Sequence, residues 1–286
     1  MAALSFRKDK VLIVGGDSRL AKNFIEHLRT EGYSVTSTTR NYSSDDNRIR
    51  YDLLDEPPRM FDSNFKFAFN FAGIAGNTAV INDPRSKIIN IDRTLNLLGY
   101  LVQKIPYVYQ MSSADVFSGR NRNESAEAKI EPRNIYGCQK AAIEQFSQEL
   151  KFRIVRVGKV IDFEASLLKD WVLQARRGVH IKTYEDVFIS PICIDNFSKI
   201  LISAMDYEPQ RIIQFTSKGD MSYSAIAKKI CSHLDLSESL VQSITRNPSL
   251  SPDFSSLEIH PKGIEYQVPE VENEIENWIS RLRNFI

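Results

Sequence analysis

Two segments of the chain place a tyrosine four residues before a lysine: "NIYGCQK" contains Tyr136 and Lys140, and "YLVQK" contains Tyr100 and Lys104. On a helix, positions i and i+4 share one face, so the ammonium group can lie near the phenol. A nearby cation favours the phenolate and lowers the tyrosine pKa toward the working pH, which suits proton transfer to a substrate oxygen. The spacing alone does not distinguish the two pairs.

The segment "MSSADVF" distinguishes them, because it lies between the two pairs at the predicted carboxyl end of a strand. There Ser113 can hydrogen-bond the same substrate oxygen as Tyr136. Ser113, Tyr136 and Lys140 fit hydride transfer at a carbonyl: Tyr136 protonates the oxygen as the hydride arrives, and Lys140 also holds the nicotinamide ribose. The hydride is the chemistry of the coenzyme. Tyr100 and Lys104 have no such loop before them and are interpreted as surface residues.

Short apolar runs alternate with helical patterns through the first half of the chain, which is typical of βαβ units. The predicted strands that position the candidate residues are "KVLIVGG", "YSVTSTTR", "NRIRYDLLD", "FKFAFNFAG", "PYVYQM" and "FRIVRVGKVI". They predict an α/β fold with a doubly wound parallel sheet of the Rossmann type. We expect a long helix over about residues 84–104 and irregular structure over residues 240–264.

The regular alternation weakens beyond residue 160, which suggests two parts. Residues 1–160 are predicted to form a dinucleotide-binding domain, to which residues 187–217 return. Residues 161–286 are predicted to form mainly a smaller, substrate-binding part. The helical pattern around Trp171 favours core packing of this side chain over stacking on a nucleotide base.

The bulk composition excludes several classes of protein. The net charge is +1, which offers no field to attract nucleic acid or an anionic membrane. No apolar run approaches the ~20 residues of a membrane span, and the N-terminal segment lacks a signal-peptide pattern. The three cysteines and four histidines are dispersed, which predicts no metal site and suits a reducing, cytoplasmic compartment.

The turn after the first strand reads Gly15-Gly16-Asp17-Ser18-Arg19-Leu20-Ala21, of the form G-x-x-S-x-x-A. In a doubly wound sheet this turn meets a dinucleotide pyrophosphate through free N–H groups at the helix N-terminus. Gly15 allows a tight turn, and Ser18 can bond a phosphate or serve only as the helix cap. We expect coenzyme contacts from Gly15, Ser18, Arg19 and Leu20, although an ordinary strand-to-helix turn has the same pattern.

The second strand ends at Arg40, where an acidic residue would meet a ribose 2′-hydroxyl. A guanidinium at this place can pair with a 2′-phosphate, so the sequence favours NADP, with NAD as the alternative. A solvated arginine is the other interpretation. The remaining expected coenzyme contacts are Asp52 and Leu53 beside the adenine, and Phe71, Ala72 and Gly73 where the coenzyme crosses the sheet.

The chain resembles the extended short-chain dehydrogenase/reductases, and within them it is most similar to nucleotide-sugar reductases of the dTDP-4-dehydrorhamnose reductase type. The segments that carry the resemblance are "VLIVGGDSRLA", "NFAG", "INIDRTLNLL", "SSADVFSG", "IYGCQKAAIE", "RVGKVI", "VFISPICIDNFSKIL" and "FTSKGDMSYSAIA". The resemblance implies that Ser113, Tyr136 and Lys140 form a catalytic triad. It also implies that helices flanking the fourth and fifth strands can pair in a homodimer.

The leading hypothesis is reduction of a 4-keto nucleotide-sugar by NADPH, with expected substrate contacts at Ser113, Ala114, Arg156 and Lys159. Ala114 stands where related dehydratases carry the first of two acids, so dehydration is disfavoured. An NAD-dependent epimerase would use the same triad and retain its coenzyme. A catalytically silent, nucleotide-binding relative is the third hypothesis, because Ser18 and Ala21 replace glycines of the family.

Overall fold

The computed structural model describes residues 9–41, 45, 47–62, 64–162, 166–205, 211–246, 253–262 and 266–282. The strands in this part of the chain are β1 (Lys10–Val14), β2 (Ser34–Thr39), β3 (Arg48–Arg50), β4 (Phe67–Asn70), β5 (Tyr107–Met111), β6 (Arg153–Val157), β7 (Val160–Ile161), β8 (Ile181–Tyr184), β9 (Val187–Ile189), β10 (Ile192–Cys193), β11 (Ile212–Phe215), β12 (Met221–Ser222), β13 (Val241–Ile244) and β14 (Asp253–Phe254).

The described α-helices lie between and after these strands. They are α1 (Arg19–Thr30), α2 (Asn77–Asn82), α3 (Thr94–Leu101), α4 (Ile135–Glu144), α5 (Ser147–Leu150), α6 (Ser166–Arg176), α7 (Ile194–Met205), α8 (Tyr223–His233) and α9 (Val271–Leu282). Short 3₁₀ turns cover Arg59–Asp62, Ala114–Val116 and Glu238–Leu240, and a π-helical turn covers Ile88–Arg93. None of the described helices is long and apolar enough to cross a membrane.

Seven strands form one parallel sheet in the order β11-β6-β5-β4-β1-β2-β3. Val11 of β1 lies opposite Val35 of β2 on one side and Phe67 of β4 on the other. The chain proceeds outward from β1 in one direction and from β4 in the other, so the loops that follow these two strands diverge. Such a divergence leaves a crevice at the carboxyl ends of the strands. The predicted doubly wound sheet is confirmed.

Helices cover both faces of the sheet, as the apolar strand sequences require. Successive side chains of a strand point to opposite faces. Val11 and Ile13 of β1 therefore pack in one hydrophobic cluster with α1 and α7, whereas Leu12 and Val14 pack in another with α3. Packing on both faces holds β1 in place, and with it the turn that follows the strand.

A third hydrophobic cluster lies outside the two that cover the sheet. It includes Trp171 of α6, Ile226 of α8 and Trp278 of α9. The ring of Trp171 meets Tyr223 edge to face, with centroids 5.9 Å apart, so this tryptophan packs in a core. β11 pairs with β6 in the central sheet although it follows this cluster's first helix in the chain. The domain boundary near residue 160 stays a prediction.

Two segments differ from the sequence-based expectation. The helix predicted over residues 84–104 is continuous over residues 86–101, but its middle part, Ile88–Arg93, is a π-helical turn. It is separated from α2 by Asp83, which is extended, with φ −107° and ψ 109°. The residue before a proline disfavours the helical conformation, and Pro84 follows Asp83. The segment predicted to be irregular contains β13, which pairs with β8, and β14, which pairs with β9.

Candidate active site

A cleft of about 370 Å³ opens at the carboxyl ends of β1, β2 and β4, where the strand order reverses. We call it the sheet-end cleft. The predicted coenzyme residues that line it are Gly15, Ser18, Arg40, Asp52, Leu53, Phe71, Ala72 and Gly73. The structure therefore brings these eight residues, from four separate segments, around one cavity.

Gly15 joins the turn after β1 to the neighbouring strands. Its φ is +81°, and an added Cβ would lie 2.5 Å from the backbone nitrogen of Ala72, so only glycine fits. Its N–H donates to Thr38 Oγ1 at 2.8 Å. Ser18 Oγ accepts from the N–H of Ala21 at 3.2 Å and thereby caps α1. Of the two roles expected for Ser18, the structure shows the helix cap.

Arg19 and Leu20 are not among the residues that line the sheet-end cleft. Arg19 Nη1 donates to Asp162 at 2.7 Å, and Leu20 packs against the cluster beneath α1. Asp17 lines the cleft instead, although the sequence did not single it out. Its carboxylate accepts from Thr39 Oγ1 at 2.7 Å and forms an ion pair with Arg48. No local motif predicts this contact, because Arg48 lies 31 residues away.

The catalytic candidates lie on two elements that touch. Ser113 precedes the 3₁₀ turn Ala114–Val116, and its Oγ accepts from the N–H of Asp115 at 3.2 Å. Tyr136 and Lys140 lie one turn apart on α4, with Lys140 Nζ 5.5 Å from the centroid of the Tyr136 ring. Lys140 is 9% exposed, and its Nζ donates to the carbonyl of Met111 at 3.0 Å.

Gly137 brings these two elements together. An added Cβ on Gly137 would lie 2.1 Å from the carbonyl oxygen of Asp115, so the start of α4 touches the backbone of the turn after Ser113. Asn134 caps the same helix end, because its Oδ1 accepts from the N–H of Gly137 at 2.7 Å. The glycine between Tyr136 and Lys140 was not identified from the sequence, since its role depends on a contact with β5's loop.

The pKa of Tyr136 is raised by burial and then by the nearby Asp115 carboxylate. The pKa of Tyr136 is thus shifted upward, opposite to the direction expected from the neighbouring Lys140, because burial disfavours the charged phenolate. Burial lowers the pKa of Lys140 to about 8, and the Glu144 carboxylate opposes that shift. Burial likewise raises the pKa of Asp115. The half-buried tyrosine therefore holds its proton at neutral pH.

Arg156 lies in the protein interior and does not line the sheet-end cleft. It is 3% exposed, and its Nη2 donates to Glu144 at 2.7 Å while Nη1 donates to the carbonyl of Ala126 at 2.9 Å. Ser112 Oγ also donates to Glu144, at 2.5 Å. This network holds Glu144 one turn beyond Lys140 on α4, so a structural role replaces the expected substrate contact of Arg156. Lys159 is exposed, and its charge lowers the pKa of Asp115 against the effect of burial.

A second cleft, of about 500 Å³, adjoins the turn after Ser113. We call it the C-terminal cleft. Its lining residues are Ala114, Asp115, Phe117, Ser118, Gly119, Arg133, Asn134, Val187, Phe188, Ile189, Tyr223, Arg246, Asp253, Phe254 and Ser255. Asp115, which lines this cleft, lies near enough to Tyr136 to raise its pKa, although Ser113, Tyr136 and Lys140 are not themselves among the lining residues.

Arg246 lines the C-terminal cleft with part of its hydrogen-bonding capacity unused. It forms an ion pair with Asp253, which also pairs with Arg133. The Nε and Nη2 atoms of Arg246 are buried and have no hydrogen-bond partner among the described residues. Beside them, the rings of Phe188 and Phe254 stack with centroids 5.2 Å apart. Sequence patterns do not predict this group, because its members come from distant segments that share no motif.

The described residues contain no group of three or more histidine, cysteine, aspartate or glutamate side chains that could hold a metal ion. The site consists of the Tyr136 phenol, the buried Lys140 ammonium group and the two clefts. Each cleft can bind a ligand, and Tyr136 can transfer a proton to an oxygen atom held near Ser113.

Residues 11–159 match the NAD dependent epimerase/dehydratase family, and the chain belongs to that family. This confirms the expected class, an NAD(P)-dependent enzyme of the extended short-chain dehydrogenase/reductase type. A comparison with curated protein sequences found no match.

Several solved structures share the fold over nearly their whole length. The dTDP-4-dehydrorhamnose reductase of Bacillus anthracis, in complex with NADP, is 20% identical, with a TM-score of 0.78 over 96% of this chain and 98% of its own. The dTDP-glucose 4,6-dehydratase of the same organism, in complex with NAD, is 12% identical, with a TM-score of 0.78 over 97% of each chain. The UDP-glucose 4-epimerase of Thermotoga maritima, with UDP-glucose, is 16% identical, with a TM-score of 0.76 over 96% and 99%. These proteins catalyse different reactions, so the likeness establishes the fold.

Replacing Gly137 with alanine is expected to separate α4 from the turn after Ser113, because the new Cβ meets backbone that cannot move alone. We expect a loss of about 1–3 kcal/mol in the free energy of unfolding, measured by urea denaturation. Gly99→Ala in α3 is the matched control, since nothing lies within 4 Å of its added Cβ. Equal stability of Gly137→Ala and wild type would contradict the close contact.

The lowered pKa of Lys140 predicts a pH-dependent stability. Between about pH 8 and 10.5 the unfolded chain binds a proton at Lys140 that the folded chain does not, so stability rises with pH there. Relative to Lys140→Met, the wild type should gain about 3 kcal/mol of unfolding free energy from pH 7.5 to 10.5. Lys169→Met, at an exposed position of α6, should follow the wild type instead. Parallel curves for wild type and Lys140→Met would refute a buried ammonium.

Proposed function

We propose that this protein reduces the 4-keto group of a nucleotide-sugar with a hydride from NAD(P)H. The observation that carries the proposal is the position of Tyr136 and Lys140 on a helix that packs against the turn after Ser113, next to Asp115 of the C-terminal cleft. A carbonyl placed there lies within reach of an acid. The sheet-end cleft lies where the strand order reverses, which is where dinucleotides bind in this fold.

The residues of the sheet-end cleft fit a dinucleotide. The turn at Gly15 and the N-terminus of α1 suit the pyrophosphate, since helix N-terminal N–H groups attract anions. Asp52 and Leu53 suit the adenosine end, and Phe71, Ala72 and Gly73 suit the passage across β4. When bound, the coenzyme supplies a hydride to the carbonyl carbon.

Tyr136 is the proposed proton donor. Its raised pKa keeps the phenol protonated at neutral pH, so a proton is present to be delivered when the carbonyl oxygen becomes negative. The ketone gains a hydride at carbon and the Tyr136 proton at oxygen, and becomes an alcohol. Ser113 holds the same oxygen. Lys140, with a pKa of about 8, supports the tyrosinate that remains and can help to return its proton.

The C-terminal cleft suits the nucleotide diphosphate of the substrate. Arg246 has two buried N–H donors without a partner among the described residues, and a diphosphate would satisfy them with charge-assisted hydrogen bonds. Phe188 and Phe254 offer an aromatic surface nearby. Ala114 and Asp115 would face the sugar, and exposed Lys159 stays a proposed substrate contact.

The homodimer and the cytoplasmic location stay predictions.

Tyr136→Phe tests the proposed acid. With NADPH or NADH and a 4-keto nucleotide-sugar, we expect kcat to fall by about 10²–10⁴-fold, because general-acid catalysis is lost. Coenzyme binding, measured by fluorescence, should change little. Tyr100→Phe is the matched control from the other Tyr-x-x-x-Lys segment and should retain full activity. Full turnover by Tyr136→Phe would exclude its role as the donor.

Purification of the protein with tightly retained NAD(H), together with no net reduction of the substrate, would instead support the epimerase.

Arg246→Gln tests the assignment of the C-terminal cleft. Removal of its cationic donors should raise KM for the nucleotide-sugar by about tenfold or more, since a charge-assisted bond to phosphate is lost. The dissociation constant of the coenzyme should not change. Arg177→Gln, at an exposed site after α6, serves as the control for charge alone. An unaltered KM in Arg246→Gln would place the diphosphate elsewhere.

A further inference from the structure

The end of β2 carries two opposite charges that face the sheet-end cleft. Arg40 follows the last residue of the strand, and Asp17 reaches the same place from the turn after β1. Asp17 Oδ2 accepts from Thr39 Oγ1 at 2.7 Å and from the backbone N–H of Arg40 at 3.4 Å. The carboxylate therefore sits at the end of β2, where the sequence of that strand supplies no acid.

Asp17 is fixed there as an anion. Partial burial opposes its ionisation, but the hydrogen bonds from Thr39 and Arg48 outweigh burial and hold the pKa of Asp17 below its usual range. Its side chain remains 38% exposed, so it can still accept further hydrogen bonds from the cleft. The carboxylate is thus both ordered and accessible.

The two arginines at this place are not equivalent. The Arg48 guanidinium is engaged with Asp17 in an ion pair, which neutralises much of its field. Arg40 is exposed, and its side chain has no ion-pair partner among the described residues. A doubly charged 2′-phosphate at the end of β2 would meet the exposed Arg40 and also the Asp17 carboxylate, which repels it. A 2′-hydroxyl would find in Asp17 the acceptor that this strand end normally provides.

We infer that Asp17, supplied by the turn after β1, takes the place of the missing acid at the end of β2 and selects for a free ribose 2′-hydroxyl. The inference rests on the proposed function, since it requires the coenzyme in the sheet-end cleft. NADH then binds at least as tightly as NADPH, despite Arg40. The residue that decides between NADH and NADPH therefore lies in the turn after β1, and not at the end of β2, where the acidic residue of such folds is usually found.

The test is a fluorescence titration of the full chain with NADH and with NADPH, for wild type and Asp17→Asn. Asparagine keeps the size of the side chain and can still accept from Thr39. We expect the ratio of the two dissociation constants to move toward NADPH by tenfold or more in Asp17→Asn, because the repulsion and the strong acceptor are both lost. Asp52→Asn, a second carboxylate of the same cleft, should change both affinities by the same factor.

Arg48→Gln gives a second, opposite test and serves if Asp17→Asn does not fold. It leaves the Asp17 carboxylate without its ion pair, so the ratio should move further toward NADH. A ratio within threefold of wild type in both variants overturns the inference, as does a wild type that prefers NADPH tenfold. If wild type binds neither coenzyme, the proposed function fails and takes the inference with it. Binding of both with an unchanged ratio refutes only the role of Asp17.

Discussion

The contact between the start of α4 and the turn after β5 is the constraint on which the catalytic arrangement depends. It places one peptide backbone against another, with Gly137 over the carbonyl of Asp115 and no side chain between them. Packed backbone moves less easily than a side chain, so the contact sets the distance between Ser113 and Tyr136. The parallel sheet fixes the turn from below, because β5 is paired on both sides. The helix is therefore positioned against a rigid reference.

Burial rather than charge attraction dominates the electrostatics of this arrangement. Tyr136 and Asp115 are both shifted toward their neutral forms by desolvation, and Lys140 is shifted in the same sense. The Glu144 carboxylate, itself held by Arg156 and Ser112, raises the pKa of Lys140 against the effect of burial. The buried ion pair of Glu144 with Arg156 therefore favours the charged form of Lys140, one turn away on α4.

The sequence predicts those parts of the molecule that are encoded locally. The strand and helix pattern of the first half, the turn at Gly15 and the residues after β2 and β4 all follow from short motifs and strand ends, and the predicted cleft residues do meet around one cavity. Contacts between distant segments were missed or misjudged. Asp17 is recognised only through its bond to Thr39, Arg246 only through its place beside Phe254, and Arg156 only through the partner that turns it inward.

Asn90 links the two halves of the site through its single amide group. Its Oδ1 accepts from the N–H of Ile74 at 2.8 Å, while its Nδ2 donates to the Ile74 carbonyl at 2.9 Å and to Gln139 Oε1 at 2.7 Å. Ile74 lines the sheet-end cleft, and Gln139 precedes Lys140 on α4. A ligand that shifts one of these segments must also shift the other or break a buried hydrogen bond. The amide of Asn90 thus joins the wall of the sheet-end cleft to the helix that carries Tyr136 and Lys140. Any effect of a ligand at Ile74 on α4 would be matched, by linkage, by an equal effect of a ligand at α4 on the affinity of the sheet-end cleft.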